Sequence, residues 1–431
     1  MRLLVIVLGI VILNVAAIAA QRPSIRGRML EKYGTSAWNQ RRSTNRVLKS
    51  SDDFSRKLVK EVAKKDRGNF IVSPLGVSMT LAMSAFGARG RTEMQLRKAL
   101  GLSNDEESRK IGYQTVTDYL NSFQKAELHV ANRVFLSSEI TPNPQFADTM
   151  ERAFRSQAQT LNFYDAAKSS QTINRWGAAE TNNRITEVVS PGDFGSDTVM
   201  TLVNAVYFKG TWLKKFDPEV TRDSPFYHED GTHKNIPTMD AVLNVTYGEY
   251  PEVDATFIQL PYQSEDNQHN ISMFIVLPNK RDGLTTVDEN YDKISISQLI
   301  QRGIYQNVDM LIPKFKIEGE LDLNGPLQRM GMTDMFDASR ADFSGITGGG
   351  YTQDPNEVIS TGRIVVNKVM QKAVVEVNEE GSEAAAVTVE LFESRSFGPK
   401  YTRFIANHPF YAIIATTGKH PINLFTLRFT G

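Results

Sequence analysis

Apolar residues open the chain as a nearly unbroken run from Leu3 to about Ala20, interrupted by Gly9 and Asn14. Further along they fall at helical spacing. Phe54, Leu58, Val59 and Val62 share one face of an amphipathic helix expected to begin near Asp52. Shorter runs with strand character follow at Ile271 to Leu277, Lys372 to Val377 and Tyr411 to Ala415. Directly after the second of these, Glu379, Glu380 and Gly381 lead into Ser382-Glu383-Ala384-Ala385-Ala386-Val387-Thr388, and Arg395-Ser396 comes next. Strand side chains alternate between faces, so Ser382, Ala384, Ala386 and Thr388 form one set, all small and uncharged. Such a set can slide beneath a finished sheet, whereas an ionised residue among them would be costly to bury unless paired. Glu383 heads the opposite set, which can stay in water. Gly381 supplies the backbone freedom of a hinge. The same Ala- and Glu-rich composition suits a helix, but the strand-like runs on both sides favour an extended loop.

Composition narrows the function classes. A chain of 431 residues can bury a large core, and neither an internal repeat nor a Pro-, Gly- or Ser-rich linker divides it, so one domain is expected. Lysine plus arginine equal aspartate plus glutamate at 49 each, which gives no basic field for nucleic acid. With no cysteine and scattered histidines, no metal site is expected, and nothing calls for a cofactor. An enzyme is not expected either. No G-x-S-x-G elbow is present, and no neighbouring residues would activate Ser396 as a nucleophile.

The N-terminal run, with Arg2 before it and Ala17-Ile18-Ala19-Ala20 at its end, has the form of a secretory signal over residues 1–20. Its length is marginal for a membrane anchor, so a secreted, extracellular chain is expected, with no membrane partner. Two sequons, at Asn244 and Asn270, fit that compartment. Residues 21–49 form a basic extension, rich in Arg22, Arg26, Arg28, Lys32, Arg41, Arg42, Arg46 and Lys49, with Glu31 its one acid. Such a segment is either a solvated tail or a contact for a polyanion or partner protein. A second segment, Gly348 to Thr361, is a candidate exosite or a surface insertion without function.

The Glu379–Ser396 stretch resembles the reactive-centre loop of a serpin, a serine protease inhibitor, with Arg395 fourteen places after Gly381. Other segments match that family in order: Asn69 to Pro74, Gly87 to Thr92, Asn174-Arg175-Trp176, Leu202 to Trp212, Pro313-Lys314-Phe315, Ala341 to Gly345 and Phe404 to Phe410. The resemblance implies an α+β serpin fold over residues 50–431, with three β-sheets, about eight or nine helices and an exposed reactive-centre loop at about 379–403. It implies Arg395-Ser396 as the reactive bond, and a hinge at Glu379, Glu380, Gly381, Ser382, Glu383, Ala384, Ala385 and Ala386. It also places Ser73, Asn204 and Gln371 near the centre of the main sheet, Trp212 where the loop would enter, and Lys314 opposite Glu379. Gln371 stands where serpins often have histidine. Gly76 and Leu427 also depart from common family residues, with only local packing consequences expected.

The resemblance further implies a monomer that forms a covalent acyl complex with a trypsin-like serine protease, since an arginine before the scissile bond fits a pocket with a carboxylate at its base. It is similar to arthropod haemolymph serpins that restrain proteases of melanisation and Toll activation; a clotting or digestive protease fits equally. Some serpins instead act as carriers or chaperones. Their hinges commonly hold bulky, charged or proline residues, unlike this one.

Overall fold

The computed structural model describes residues 25–264, 266, 269–347, 364–381 and 401–431. The apolar N-terminal run, the loop 348–361 and the expected site residues Ser382, Glu383, Ala384, Ala385, Ala386, Arg395 and Ser396 lie outside the described residues.

The main sheet has five strands. In spatial order they are β10 (Phe315–Asp322), β11 (Val366–Val377), β4 (Met200–Lys209), β2 (Glu127–Ser137) and β3 (Ala158–Leu161). A second network runs β1 (Phe70–Val72), β14 (Asn423–Phe429), β13 (Phe410–Thr416), β8 (Ile271–Pro278), β7 (Ala255–Pro261), β6 (His233–Tyr250), β9 (Ile304–Pro313) and β12 (Thr402–Ile405), with β5 (Arg222–Tyr227) also on β6. Where three sheets were expected, hydrogen bonding links two of them into this nine-stranded network. The cause is β6: its 18 residues pair with β5 and β9 along most of their length and with β7 at the far end.

Among the described residues there are ten α-helices, several of only one or two turns: α1 (Ile25–Ala63), α2 (Pro74–Gly87), α3 (Gly90–Leu100), α4 (Glu106–Leu120), α5 (Pro144–Phe154), α6 (Ala166–Glu180), α7 (Leu284–Asn290), α8 (Ile296–Arg302), α9 (Asn324–Arg329) and α10 (Ser344–Thr347). The α1 helix begins well before Asp52, so most of the basic extension continues the amphipathic helix instead of preceding it. No proline interrupts residues 25–63. Ser43 and Val47 are buried, and Gln40 Nε2 donates to Thr115 Oγ1 of α4 at 3.3 Å, which gives the extension a tertiary partner that composition does not show.

Position within the core follows from residue pattern. All 14 residues of α2 are buried, so it has no solvent face, and its few polar side chains, Ser78, Thr80 and Ser84, hydrogen-bond within the protein. Ser73 caps it, accepting from the Gly76 amide at 3.3 Å, and Pro74 fills the first turn where no N–H is needed. One face of the main sheet packs on the large core that includes α2. The other carries a separate cluster of Phe135, Val203, Ala205, Tyr207, Met370 and Val374 beneath Ile173 and Trp176 of α6. Both central strands are therefore covered on both faces, the usual setting for parallel pairing.

The second network carries a buried charge cluster. Arg428 Nη2 lies 3.0 Å from Asp288 Oδ2, Tyr411 Oη donates to Asp288 Oδ1 at 2.6 Å, and Arg428 Nη1 donates to the Gly68 carbonyl at 3.0 Å. Arg428 is fully buried and Asp288 nearly so. Arg428→Met should destabilise the fold by about 3–5 kcal/mol by leaving the carboxylate without its main buried partner. Urea unfolding would show this, and Asp288→Asn added to Arg428→Met should recover much of the loss.

Candidate functional site

The centre of the main sheet is a seam between two parallel strands. Residues of β11 pair with β4 from Val366 opposite Met200 to Val374 opposite Tyr207, with an irregularity between Val366 and Lys368. Above Val374 and Tyr207 the pairing ends, although β11 continues to Val377 and β4 to Lys209. Any segment that leaves the top of β11 and turns back between these strands would run antiparallel to both. Antiparallel ladders are slightly more stable per residue than parallel ones, so the seam has a thermodynamic reason to accept a strand.

A buried polar chain ties the seam at mid-height. The Ser73 amide donates to Gln371 Oε1 at 2.7 Å, Gln371 Nε2 donates to the Ser73 carbonyl at 3.0 Å, and the same nitrogen donates to Asn204 Oδ1. Asn204 Nδ2 in turn donates to Asn132 Oδ1 on β2 at 2.7 Å and to the Ala131 carbonyl at 3.0 Å. Thr80 Oγ1 of α2 also donates to Asn132 Oδ1, at 2.7 Å. Ser73, Asn204 and Gln371 are thus brought together, with glutamine filling both donor and acceptor roles.

Sequence reasoning missed Asn132, Thr80 and the part played by Gly76. A Cβ on Gly76 would lie 2.5 Å from both polar atoms of the Asn204 amide, so the missing side chain makes the space in which Asn204 turns toward Asn132. The departure at Gly76 is therefore part of the polar chain. Its sequence signal was the glycine inside an apolar helix, where glycine is disfavoured without a packing reason.

The hinge is docked over the top of the seam. Asn378 and Gly381 exchange backbone hydrogen bonds, of 3.0 Å from the Asn378 amide and 3.2 Å from the Gly381 amide, closing a tight turn. Gly381 has φ of +118°, and a Cβ there would stand 2.2 Å from the Gly210 carbonyl oxygen. Only glycine suits both constraints. The Trp212 amide donates to the Glu380 carbonyl at 2.9 Å, its indole Nε1 donates to the Asn378 carbonyl at 2.9 Å, and its ring stacks on Tyr262 at 4.3 Å.

Two ion pairs hold the hinge carboxylates. Glu379 Oε2 lies 2.9 Å from Lys314 Nζ, and its Oε1 accepts from Thr221 Oγ1 at 2.7 Å. Glu380 Oε2 lies 2.5 Å from Lys215 Nζ. Burial pushes the Glu379 carboxyl up, but the bonds from Lys314 and Thr221 outweigh it and hold the group below the ordinary glutamate value of 4.5. Sequence pattern alone did not suggest the Lys215 contact. Of the two sequon asparagines, Asn244 is exposed on β6 and Asn270 is half-buried before β8. Among the described residues no group of histidines or carboxylates could hold a metal ion, and no helix is long and apolar enough to cross a membrane.

Residues 49–426 match the family model "Serpin (serine protease inhibitor)". The chain is 31% identical to Serpin B3 of Homo sapiens over 408 residues, covering 90% of this chain and 99% of that protein. It is 32% identical to Antitrypsin of Bombyx mori, covering 86% and 92% respectively. Among solved structures, Serpin48 of the insect Tenebrio molitor superposes with a TM-score of 0.76 at 28% identity, over 89% of this chain and 98% of that one. The chain belongs to the serpin family and has the serpin fold. Relatives named as protease inhibitors support protease inhibition as its general activity.

Two outcomes test the geometry. A carboxylate with a depressed folded-state pKa stabilises the protein above its unfolded pKa and loses that contribution as pH falls through the folded value. Unfolding free energy should therefore drop on acidification through and below 4.5, with a shallower drop in Glu379→Gln. Gly76→Ala should displace Asn204 and cost about 1–3 kcal/mol, measured by thermal unfolding.

Proposed function

We propose that the chain is a secreted suicide-substrate inhibitor of trypsin-like serine proteases, acting through the bond between Arg395 and Ser396. The observation that carries this reading is the parted top of the parallel β4–β11 seam, with the Glu379–Gly381 hinge docked directly above it. The small residues Ser382, Ala384, Ala386 and Thr388 come next in sequence, spaced to pass under the sheet.

In this mechanism the nucleophile belongs to the partner. The protease serine attacks the Arg395 carbonyl, an acyl bond forms, and Ser396 departs as a new amino terminus. The freed hinge then enters the seam, breaking the Gln371–Asn204 contact and replacing one parallel interface with two antiparallel ones. About a dozen new strand residues, each hydrogen bond worth roughly 0.5–1.5 kcal/mol net, supply on the order of 10 kcal/mol. Insertion carries the tethered protease along and distorts its active site before water can release it. Ser73, Asn204 and Gln371 resist early opening at mid-seam, while Trp212, Lys314 and Glu379 hold the entrance.

The trypsin-like preference rests on Arg395 and agrees with the name of the Bombyx mori relative. Secretion rests on the N-terminal apolar run, and an extracellular protease cascade such as melanisation, Toll activation or clotting is the setting it suits. In that setting glycans at Asn244 and Asn270 and a monomeric inhibitor are expected. The basic face of α1, with Arg41, Arg42, Arg46 and Lys49 all exposed, suits a polyanion.

The chain mixed with trypsin should give a complex that survives denaturing electrophoresis. Arg395→Ala should abolish it, and Ser382→Arg should yield cleaved chain without complex. Cleavage without complex by the unmodified chain would overturn the reading and favour a carrier role.

A further inference from the structure

A cleft of about 800 Å³ opens between α1, α3 and the end of α9, and it shares no residue with the seam or the hinge. Two helices build its walls by presenting one face each. Lys57, Lys60 and Glu61 lie at helical spacing on α1, while Arg91, Met94 and Lys98 do so on α3. Arg329 and Asp292 complete its charged lining.

Charge is unevenly distributed in this cleft. Both lining carboxylates are already engaged: Lys60 Nζ lies 2.8 Å from Asp292 Oδ1, and Arg329 Nε donates to Glu61 Oε2 at 2.8 Å. Arg91 Nε rests 3.0 Å from the buried Asp334, which lies outside the cleft lining. Lys57 and Lys98, both exposed and on opposite walls, have no ion-pair partner among the described residues. The lining therefore holds five cations against two carboxylates.

We propose that this cleft binds a sugar-sized polyanion, a sulfated or phosphorylated saccharide or cyclitol. Its volume falls in the range of small-ligand sites. Lys57 and Lys98 would each take an anionic group, with Arg91 adding charge from the same helix as Lys98, while the exposed Met94 would lie against the C–H face of the ring. The apolar wall is limited to Met94, Ala99 and Met330, too little to bury an acyl chain. This site is separate from the exposed basic stripe of Arg41, Arg42, Arg46 and Lys49 further along α1.

Calorimetric titration of the full chain with sucrose octasulfate and with inositol hexakisphosphate tests the assignment, with unmodified sucrose as the control. At least one anionic probe should bind the cleft saturably at ~0.15 M salt and weaken as salt rises. The tighter probe tells whether the site prefers sulfate or phosphate. Lys57→Glu combined with Lys98→Glu should weaken binding by about ten-fold or more, and Lys57→Gln with Lys98→Gln by a smaller factor. Arg41→Glu with Arg42→Glu should leave it within about two-fold. No saturable binding of either probe, undiminished binding in the Lys57 and Lys98 variants, or a loss confined to the Arg41 and Arg42 variant would overturn the proposal.

Discussion

The parallel contact between β4 and β11 is the constraint on which the rest of this structure depends. Two strands that meet in parallel at the centre of a sheet, buried on both faces, form the interface where a further strand gains most. Every device around it resists that gain. The Ser73–Gln371–Asn204–Asn132 chain stitches α2, β11, β4 and β2 together in a buried setting, where a broken polar contact is expensive. Because α2 holds Gln371 through Ser73 and Asn132 through Thr80, the helix spans both sides of the seam.

Above the stitch, the hinge meets a different kind of restraint. Glu379 and Glu380 are consecutive carboxylates, yet each has its own lysine, from the end of β9 in one case and from the segment after Trp212 in the other. Separate partners relieve the repulsion between neighbouring charges and fix the turn in place. Gly381 follows at a position where backbone crowds the space a side chain would need. The hinge is thus held by contacts that are strong only in this arrangement.

Much of this was legible in the chain. The strand-like runs at Lys372–Val377 and Tyr411–Ala415 and the helical face from Phe54 to Val62 express periodicities that local geometry imposes. The juxtaposition of Ser73, Asn204 and Gln371 came through family resemblance, because no periodicity links positions so far apart. Asn132 and Thr80 escaped notice because a polar residue in a strand or helix looks solvent-facing until its neighbours are known. The start of α1 was placed too late for a related reason. Its basic residues suggested a solvated tail, and the burial of Ser43 and Val47 depends on α4, which only the folded chain brings alongside.

What the sequence by itself determined is the order of elements and the small-residue alternation after Gly381, because each rests on residue type and near-neighbour spacing. The tertiary structure alone decided that β6 would fuse two sheets into one network, that Gly76 would make room for the Asn204 amide, and that cations from α1, α3 and α9 would line one cleft. Those outcomes turn on which distant surfaces meet and how closely, and packing settles that only when the whole core closes.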